Sequence, residues 1–142
     1  MDEIVEINSP EEMTELGEKM GLSAKPGDVF ALAGDLGVGK TVFSKGMAKG
    51  LGIEDTIVSP TFTIVQEYKE GRLPFYHFDV YRIDEPDEML EVGFDEYIRG
   101  DGVSLIEWAD RIEGLLPKYA KVITIEKDYE KGNDYRRVHI SK

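Results

Sequence analysis

A three-layer α/β sandwich, with a sheet part parallel and part antiparallel, is the fold this sequence predicts. Three observations predict it. A short apolar run, Val29-Phe30-Ala31-Leu32-Ala33, reads as a buried strand; a glycine-rich turn follows, then Val42, Phe43, Met47 and Leu51 at near-helical spacing. A second apolar run, Val103-Ser104-Leu105-Ile106-Glu107, reads as another buried strand. Near the end, Lys121–Glu126 and Arg136–Ile140 flank the polar turn Glu130–Asp134 and read as antiparallel partners. Buried strands alternating with helices make a parallel sheet, and hairpins add antiparallel edges.

The elements follow in order. Ile4–Ile7 is a short strand. Ser9-Pro10-Glu11-Glu12 starts a helix, with Ser9 as N-cap, Pro10 at the first helical position and Glu12 closing a capping box. Met13, Leu16 and Met20 continue one apolar face, which Gly21 is expected to end. The helix after the glycine-rich turn should begin around Lys40 and run to about Lys49, where Gly50 and Gly52 break the pattern. Ser59 to Tyr68 is a turn feeding a β-rich run, and Lys69-Glu70-Gly71-Arg72 turns the chain into Leu73–Phe78. Asp84 to Tyr97 reads as short helical pieces around Pro86 and Gly93. Asp110 to Leu116 is a short helix stopped by Pro117.

The turn after Ala33 is the most informative stretch. Gly34-Asp35-Leu36-Gly37-Val38-Gly39-Lys40-Thr41 fits G-x-x-x-x-G-K-[ST], the phosphate-binding loop, and lies between a strand and a helix as that loop must. Glycines let the backbone curl with positive φ and approach a polyphosphate without Cβ clashes. Successive N–H groups then line one concavity at the positive end of the helix dipole. Lys40 supplies a mobile charge for the β and γ phosphates, and the Thr41 hydroxyl can ligate Mg²⁺. The prediction sharpens to a P-loop NTPase-like sandwich that binds a nucleoside triphosphate.

Composition bounds the rest. At 142 residues the chain is expected to be one domain over 1–142, with no room for a separate substrate domain. Seventeen basic against 29 acidic residues give a net charge of −12. Such a balance makes a poor autonomous ligand for nucleic acid, whose binding rests on neutralising phosphates. Zero cysteines exclude disulfides, thiolate catalysis and thiolate metal sites. No run reaches the length of a membrane span, and the acidic start lacks a signal-peptide core, so a cytoplasmic protein is expected.

A phosphate loop needs an acidic residue at the end of a neighbouring strand to hold Mg²⁺ or its waters. Phe75-Tyr76-His77-Phe78-Asp79 ends in Asp79, and Val103 to Glu107 ends in Glu107. Each is read either as a member of the site or as an ordinary strand-end carboxylate, and sequence does not say which is in direct contact with the metal. Strand C-termini line the ligand crevice in open α/β sheets, so both can face the phosphates. Trp108, the single tryptophan, is read first as a core or rim aromatic, His77 and Tyr81 as structural, and Arg82 as solvated. Ser59-Pro60-Thr61 is either a nucleotide-sensing turn or a Pro-fixed loop.

Together the Gly34–Thr41 loop, Ser59-Pro60-Thr61-Phe62-Thr63, His77-Phe78-Asp79-Val80-Tyr81-Arg82 and Ile106-Glu107-Trp108, in this order and spacing, resemble the TsaE (YjeE) family over essentially the whole chain. The resemblance implies a bacterial ATPase needed to make N6-threonylcarbamoyladenosine (t6A) at position 37 of tRNAs reading codons that start with A. It implies TsaD, the transferase, and TsaB as partners, with tRNA met only indirectly. It implies ATP and Mg²⁺ as cofactors. Gly37, Val38, Gly39, Lys40, Thr41 and Val42 would cradle the phosphates, with Thr41, Asp79 and Glu107 in the metal and water site. Lys40, Asp79 and Glu107 would be the catalytic set, Thr61 part of a switch-like loop and Trp108 a sensitive neighbour of Glu107. Many relatives carry a second Thr where this chain has Val42, leaving only a backbone role at that position.

The mechanism expected is in-line attack of water on the γ-phosphate, with Lys40, Mg²⁺ and the loop amides offsetting charge. No residue identifies itself as a water-orienting Gln or an arginine finger, which predicts slow hydrolysis by the isolated chain and faster hydrolysis with partners. A small-molecule kinase is the alternative, but it needs an Arg-rich lid and only scattered arginines such as Arg72, Arg82 and Arg99 occur. A GTPase switch would show Asn-Lys-x-Asp, which is absent. A non-enzymatic adaptor, whose hydrolysis is incidental, is the third reading.

Overall fold

In the computed structural model, which describes residues 2–34, 39–54, 57 and 64–141, the chain runs β1 (Glu3–Ile7), α1 (Pro10–Ser23), β2 (Val29–Ala33), α2 (Lys40–Gly50), β3 (Val65–Tyr68), β4 (Phe75–Asp79), α3 (Glu88–Glu91), α4 (Phe94–Arg99), β5 (Val103–Glu107), β6 (Lys121–Lys127) and β7 (Arg136–Ser141). Among the described residues the strands form one sheet in the order β1-β7-β6-β2-β5-β4-β3. The inner four, β6, β2, β5 and β4, are parallel. The edges are antiparallel: β3 pairs β4, while β7 pairs β6 and carries β1 outside it. The expected mixed sheet is present, with the phosphate-loop strand near its centre.

Two helical layers cover it. On one face Met13 of α1 and Phe43 and Met47 of α2 pack on Phe30, Leu32, Leu105, Ile123 and Val138. On the other, Met89, Phe94 and Ile112 pack on Val29, Ala31, Phe78 and Ile106. There Phe94 meets Phe78 edge to face at 5.4 Å, a geometry that satisfies the ring quadrupoles. Full burial of both faces explains why β2 and β5 read as unbroken apolar runs rather than alternating ones. Among the described residues no helix is long and apolar enough to cross a membrane.

Helix α1 departs from expectation at its end. Gly21 does not stop it; the helix runs on to Ser23. Gly21 is needed for contact instead. A Cβ there would lie 2.3 Å from the Met47 carbonyl oxygen, and one at Gly50 would lie 2.2 Å from that of Glu18. The two helices therefore approach backbone to backbone, which fixes where α2 begins. Arg72 then closes the α1 terminus, its guanidinium donating to the carbonyls of Gly21 (2.7 Å), Leu22 (3.2 Å) and Ala24 (3.0 Å). Those are the orphan acceptors of a helix end.

Two smaller differences have local causes. The Ser9 hydroxyl accepts from the Glu12 N–H as expected, but the Glu12 carboxylate accepts from Asn8 N–H (2.8 Å), one residue before the cap. The helix expected over 110–116 is a 3-10 segment, Ala109–Leu115, broken at Ile112 (φ −126°) so that this side chain turns into the core. Lys69–Arg72 does turn the chain between β3 and β4, with Tyr68 opposite Phe75.

Candidate functional site

The parallel pairing decides what meets at the strand ends. Phe30 and Leu32 of β2 lie opposite Leu105 and Glu107 of β5. On β4, His77 and Asp79 lie opposite Leu105 and Glu107. Side chains alternate along a strand with period two, so Phe75, His77 and Asp79 share the α2-facing side of the sheet with Val103, Leu105 and Glu107. The sequence placed Asp79 and Glu107 only at strand ends. The register makes them direct neighbours on the side where the phosphate loop runs into α2.

Gly39 caps α2 at φ 105° and ψ 20°, a left-handed conformation that glycine adopts without strain. Among the described residues no side chain caps this helix, and a helix N-terminus is a favourable place for an anion. Lys40, the first helical residue, is 6% exposed. Its ammonium donates to the Gly34 carbonyl at 2.8 Å and lies 3.7 Å from the centre of the Trp108 ring. Carbonyl and indole face thus hold the cation in place. Trp108 is half-buried beside the lysine rather than in the core. Thr41 and Val42 follow on α2, Thr41 exposed and Val42 half-buried. Gly37, Val38 and Thr61 lie outside the described residues.

Both carboxylates are buried, Asp79 at 8% and Glu107 at 5% exposure. The Asp79 carboxylate accepts from the Tyr81 N–H at 3.0 Å, a turn that fixes it at the strand end. Glu107 meets His77, whose Nε2 is 2.6 Å from Glu107 Oε2. His77 was expected to be structural; it is buried against a site carboxylate. Its signal lay in the alternation that puts it on the Asp79 side of β4. Tyr81 packs against Trp108 with the rings tilted by 55° and their centroids 4.8 Å apart, and the Arg111 guanidinium lies 5.0 Å from the Tyr81 ring.

Two strained residues border the same place. Trp108 has φ 62° and Ile64 φ 70°, and such a conformation costs on the order of 1–3 kcal/mol when the residue is not glycine. Each is held by its backbone carbonyl: that of Ile64 accepts from Asp79 N–H (2.8 Å) and that of Trp108 from Arg111 N–H (3.1 Å). Among the described residues no group of three or more His, Cys, Asp or Glu is arranged to hold a metal. Asp79, Glu107 and Thr41 therefore offer a sparse set of oxygen donors.

A groove of about 190 Å³ opens beside Gly39 and Val42. Its floor is apolar, from Ile7, Met13 and Val42, and its rim carries Asp134 and Arg136. The sequence held no sign of it, because Asp134 and Arg136 arrive from the far end of the chain through the β1–β7 pairing.

Fold and site define a class: an α/β protein with a mixed seven-stranded sheet, whose charged groups gather at the C-terminal ends of parallel strands beside the start of α2. Comparison with known proteins narrows it. The family model described as threonylcarbamoyl adenosine biosynthesis protein TsaE matches residues 7–138. The tRNA threonylcarbamoyladenosine biosynthesis protein TsaE of Bacillus subtilis (strain 168) is 49% identical over 130 residues, 92% of this chain and 79% of that protein. Its namesake from Treponema pallidum is 41% identical over 117 residues, 82% of this chain and 86% of the relative. The crystal structure of Bacillus subtilis YdiB superposes with a TM-score of 0.84 at 43% identity, covering 99% of this chain and 84% of that one. The chain belongs to the TsaE family.

Proposed function

We propose that this chain is a Mg-ATP-hydrolysing subunit of the cytoplasmic apparatus that forms N6-threonylcarbamoyladenosine at position 37 of tRNA. It acts with TsaD and TsaB and reaches tRNA only through them. The observation that carries this reading is the convergence of Lys40, Asp79 and Glu107 beside the N-terminus of α2. The relatives' role in tRNA threonylcarbamoyladenosine biosynthesis supports the pathway assignment.

In this reading the α2 amides and Lys40 bind the β and γ phosphates. The lysine leaves the Gly34 carbonyl and the Trp108 face to do so. Thr41, Asp79 and Glu107 offer only oxygen donors, and few of them, which suits an ion held partly by substrate phosphates and water, as Mg²⁺ is. When bound, Mg²⁺ would neutralise charge on the β and γ oxygens. Glu107, held at Oε2 by His77, orients the water whose oxygen bonds to the γ-phosphorus; the bond to the β,γ-bridging oxygen breaks on the opposite side, so that ADP is the leaving group and inorganic phosphate carries the water oxygen. The groove beside Val42, with its apolar floor and with Asp134 and Arg136 on its rim, would hold the base. Gly37, Val38 and Thr61 keep the parts the family resemblance implies, in the phosphate cradle and the switch-like loop.

Calorimetric titration with ATP in Mg²⁺ tests the reading. The wild-type chain should saturate, Lys40→Ala should not, and phosphate release should accelerate when TsaD and TsaB are added. Retention of ATP binding in Lys40→Ala would sink the site assignment.

A further inference from the structure

The His77–Glu107 contact reaches beyond packing. The two side chains come from parallel neighbours one pleat apart, since His77 lies opposite Leu105 and not Glu107. Glu107 must therefore turn its carboxylate back along the sheet to meet the ring at 2.6 Å. Both groups are almost fully enclosed, with His77 at 1% and Glu107 at 5% exposure, and Phe75 stacks on the imidazole at 5.9 Å. The other ring nitrogen, Nδ1, is buried and has no hydrogen-bond partner. A proton there would be a buried donor with nothing to meet, which is costly. Nε2 is the ring nitrogen that meets the carboxylate, and through it the ring donates to Glu107. Among the described residues no hydrogen bond engages Oε1.

We propose that His77 is a positioning residue: as an Nε2–H donor it locks Glu107 in the rotamer that presents one open oxygen to the divalent cation of the nucleotide. Packing alone would not need a polar ring at this enclosed position, because an apolar residue between Phe75 and Leu105 would fill it without an orphaned nitrogen. The inference rests on the Mg-ATP reading above. Outer partners of this kind, which orient a ligating carboxylate, typically set metal affinity by about 10- to 100-fold.

The test is a calorimetric titration of ATP into the full chain at stepped Mg²⁺ concentrations, for the wild type, His77→Gln, His77→Asn and His77→Leu, with the thermal midpoint of each measured in parallel. Gln carries an amide N–H close to where Nε2–H stands; Asn stops one carbon short, and Leu offers no donor. The half-saturating Mg²⁺ concentration should rise by about 10- to 100-fold in His77→Leu and His77→Asn. His77→Gln should stay within a few-fold of wild type, and metal-free ATP binding should be alike in all four. If His77→Leu does not fold, the contrast between His77→Gln and His77→Asn decides. A wild-type Mg²⁺ requirement in folded His77→Asn or His77→Leu overturns the inference, as does a His77→Gln as defective as His77→Leu. Wild-type chain that takes up no ATP at any Mg²⁺ concentration overturns the nucleotide reading itself. Normal wild-type binding with indifferent variants overturns only the role of His77.

Discussion

Asp79 and Glu107 stand directly opposite one another at the C-terminal ends of β4 and β5, two buried carboxylates on one face of a parallel pair. Like charges on neighbouring strand ends repel one another. Asp79→Asn removes one charge yet can still accept from Tyr81 N–H. Without nucleotide it should melt higher than wild type, by about 3–5 °C for each ~1 kcal/mol of repulsion relieved. Its Mg-ATP turnover should fall by about 10- to 100-fold. Paired melting and phosphate-release assays decide; a lower midpoint with full turnover contradicts the placement of this carboxylate in the site.

Glu107→Gln should retain ATP binding but lose phosphate release by on the order of 10²-fold or more, the cost of removing a group that orients or deprotonates water. The same variant separates enzyme from adaptor. Multiple rounds of tRNA modification at the wild-type rate would make hydrolysis dispensable.

The close approach of α1 and α2 yields a stability prediction with an internal control. Alanine is the better helix former, by about 1 kcal/mol, yet Gly21→Ala places a methyl 2.3 Å from the Met47 carbonyl oxygen. The helices must part, at about 1–3 kcal/mol after any helix-propensity gain. Gly114→Ala meets nothing within 4 Å and does not need a positive φ, so it should be neutral or stabilise by up to ~1 kcal/mol. Urea denaturation of both variants checks the pair; a neutral Gly21→Ala contradicts the packing described.

Arg72 donates to three carbonyls at the end of α1 through one nitrogen. Arg72→Ala should cost about 1–3 kcal/mol, and Arg72→Lys should recover little of it, because a compact ammonium lacks the planar reach of the guanidinium. Equal stability of Arg72→Lys and wild type in the same urea assay would count against this cap.

The Glu6 carboxyl lies below the ordinary carboxylate value, first because the Tyr135 hydroxyl donates to it at 2.9 Å and then because Lys131 lies 3.4 Å away. A lowered folded value stabilises the fold above the unfolded value and loses that contribution as pH falls through the folded one. The gap in urea midpoint between wild type and Tyr135→Phe should therefore be widest near neutrality and shrink toward about pH 4. A gap that widens on acidification contradicts the contact.

What the sequence disclosed follows the range of the interactions involved. The β2–loop–α2 unit is local, and its strand and helix bounds were legible from an apolar run, the Gly34–Thr41 pattern and helical spacing. Asp79 and Glu107 were legible as strand ends for the same reason. Their adjacency was not, because it depends on β4 pairing with β5 in one register rather than a neighbouring one. His77 was hidden the same way, since its partner lies 30 residues on. Gly21 was misread as a helix stop because a glycine that ends a helix and one that lets two helices touch look identical in one dimension. The groove with Asp134 and Arg136 needed the longest-range pairing, β1 with β7.

If the Gly34–Thr41 loop drives a tRNA-modifying complex, multiple-turnover formation of N6-threonylcarbamoyladenosine on tRNA by purified TsaD and TsaB depends on this chain. Product should exceed one equivalent of the complex only when wild-type chain and ATP are present, and Lys40→Ala should not substitute. Repeated turnover without the chain, or with Lys40→Ala in its place, would contradict it.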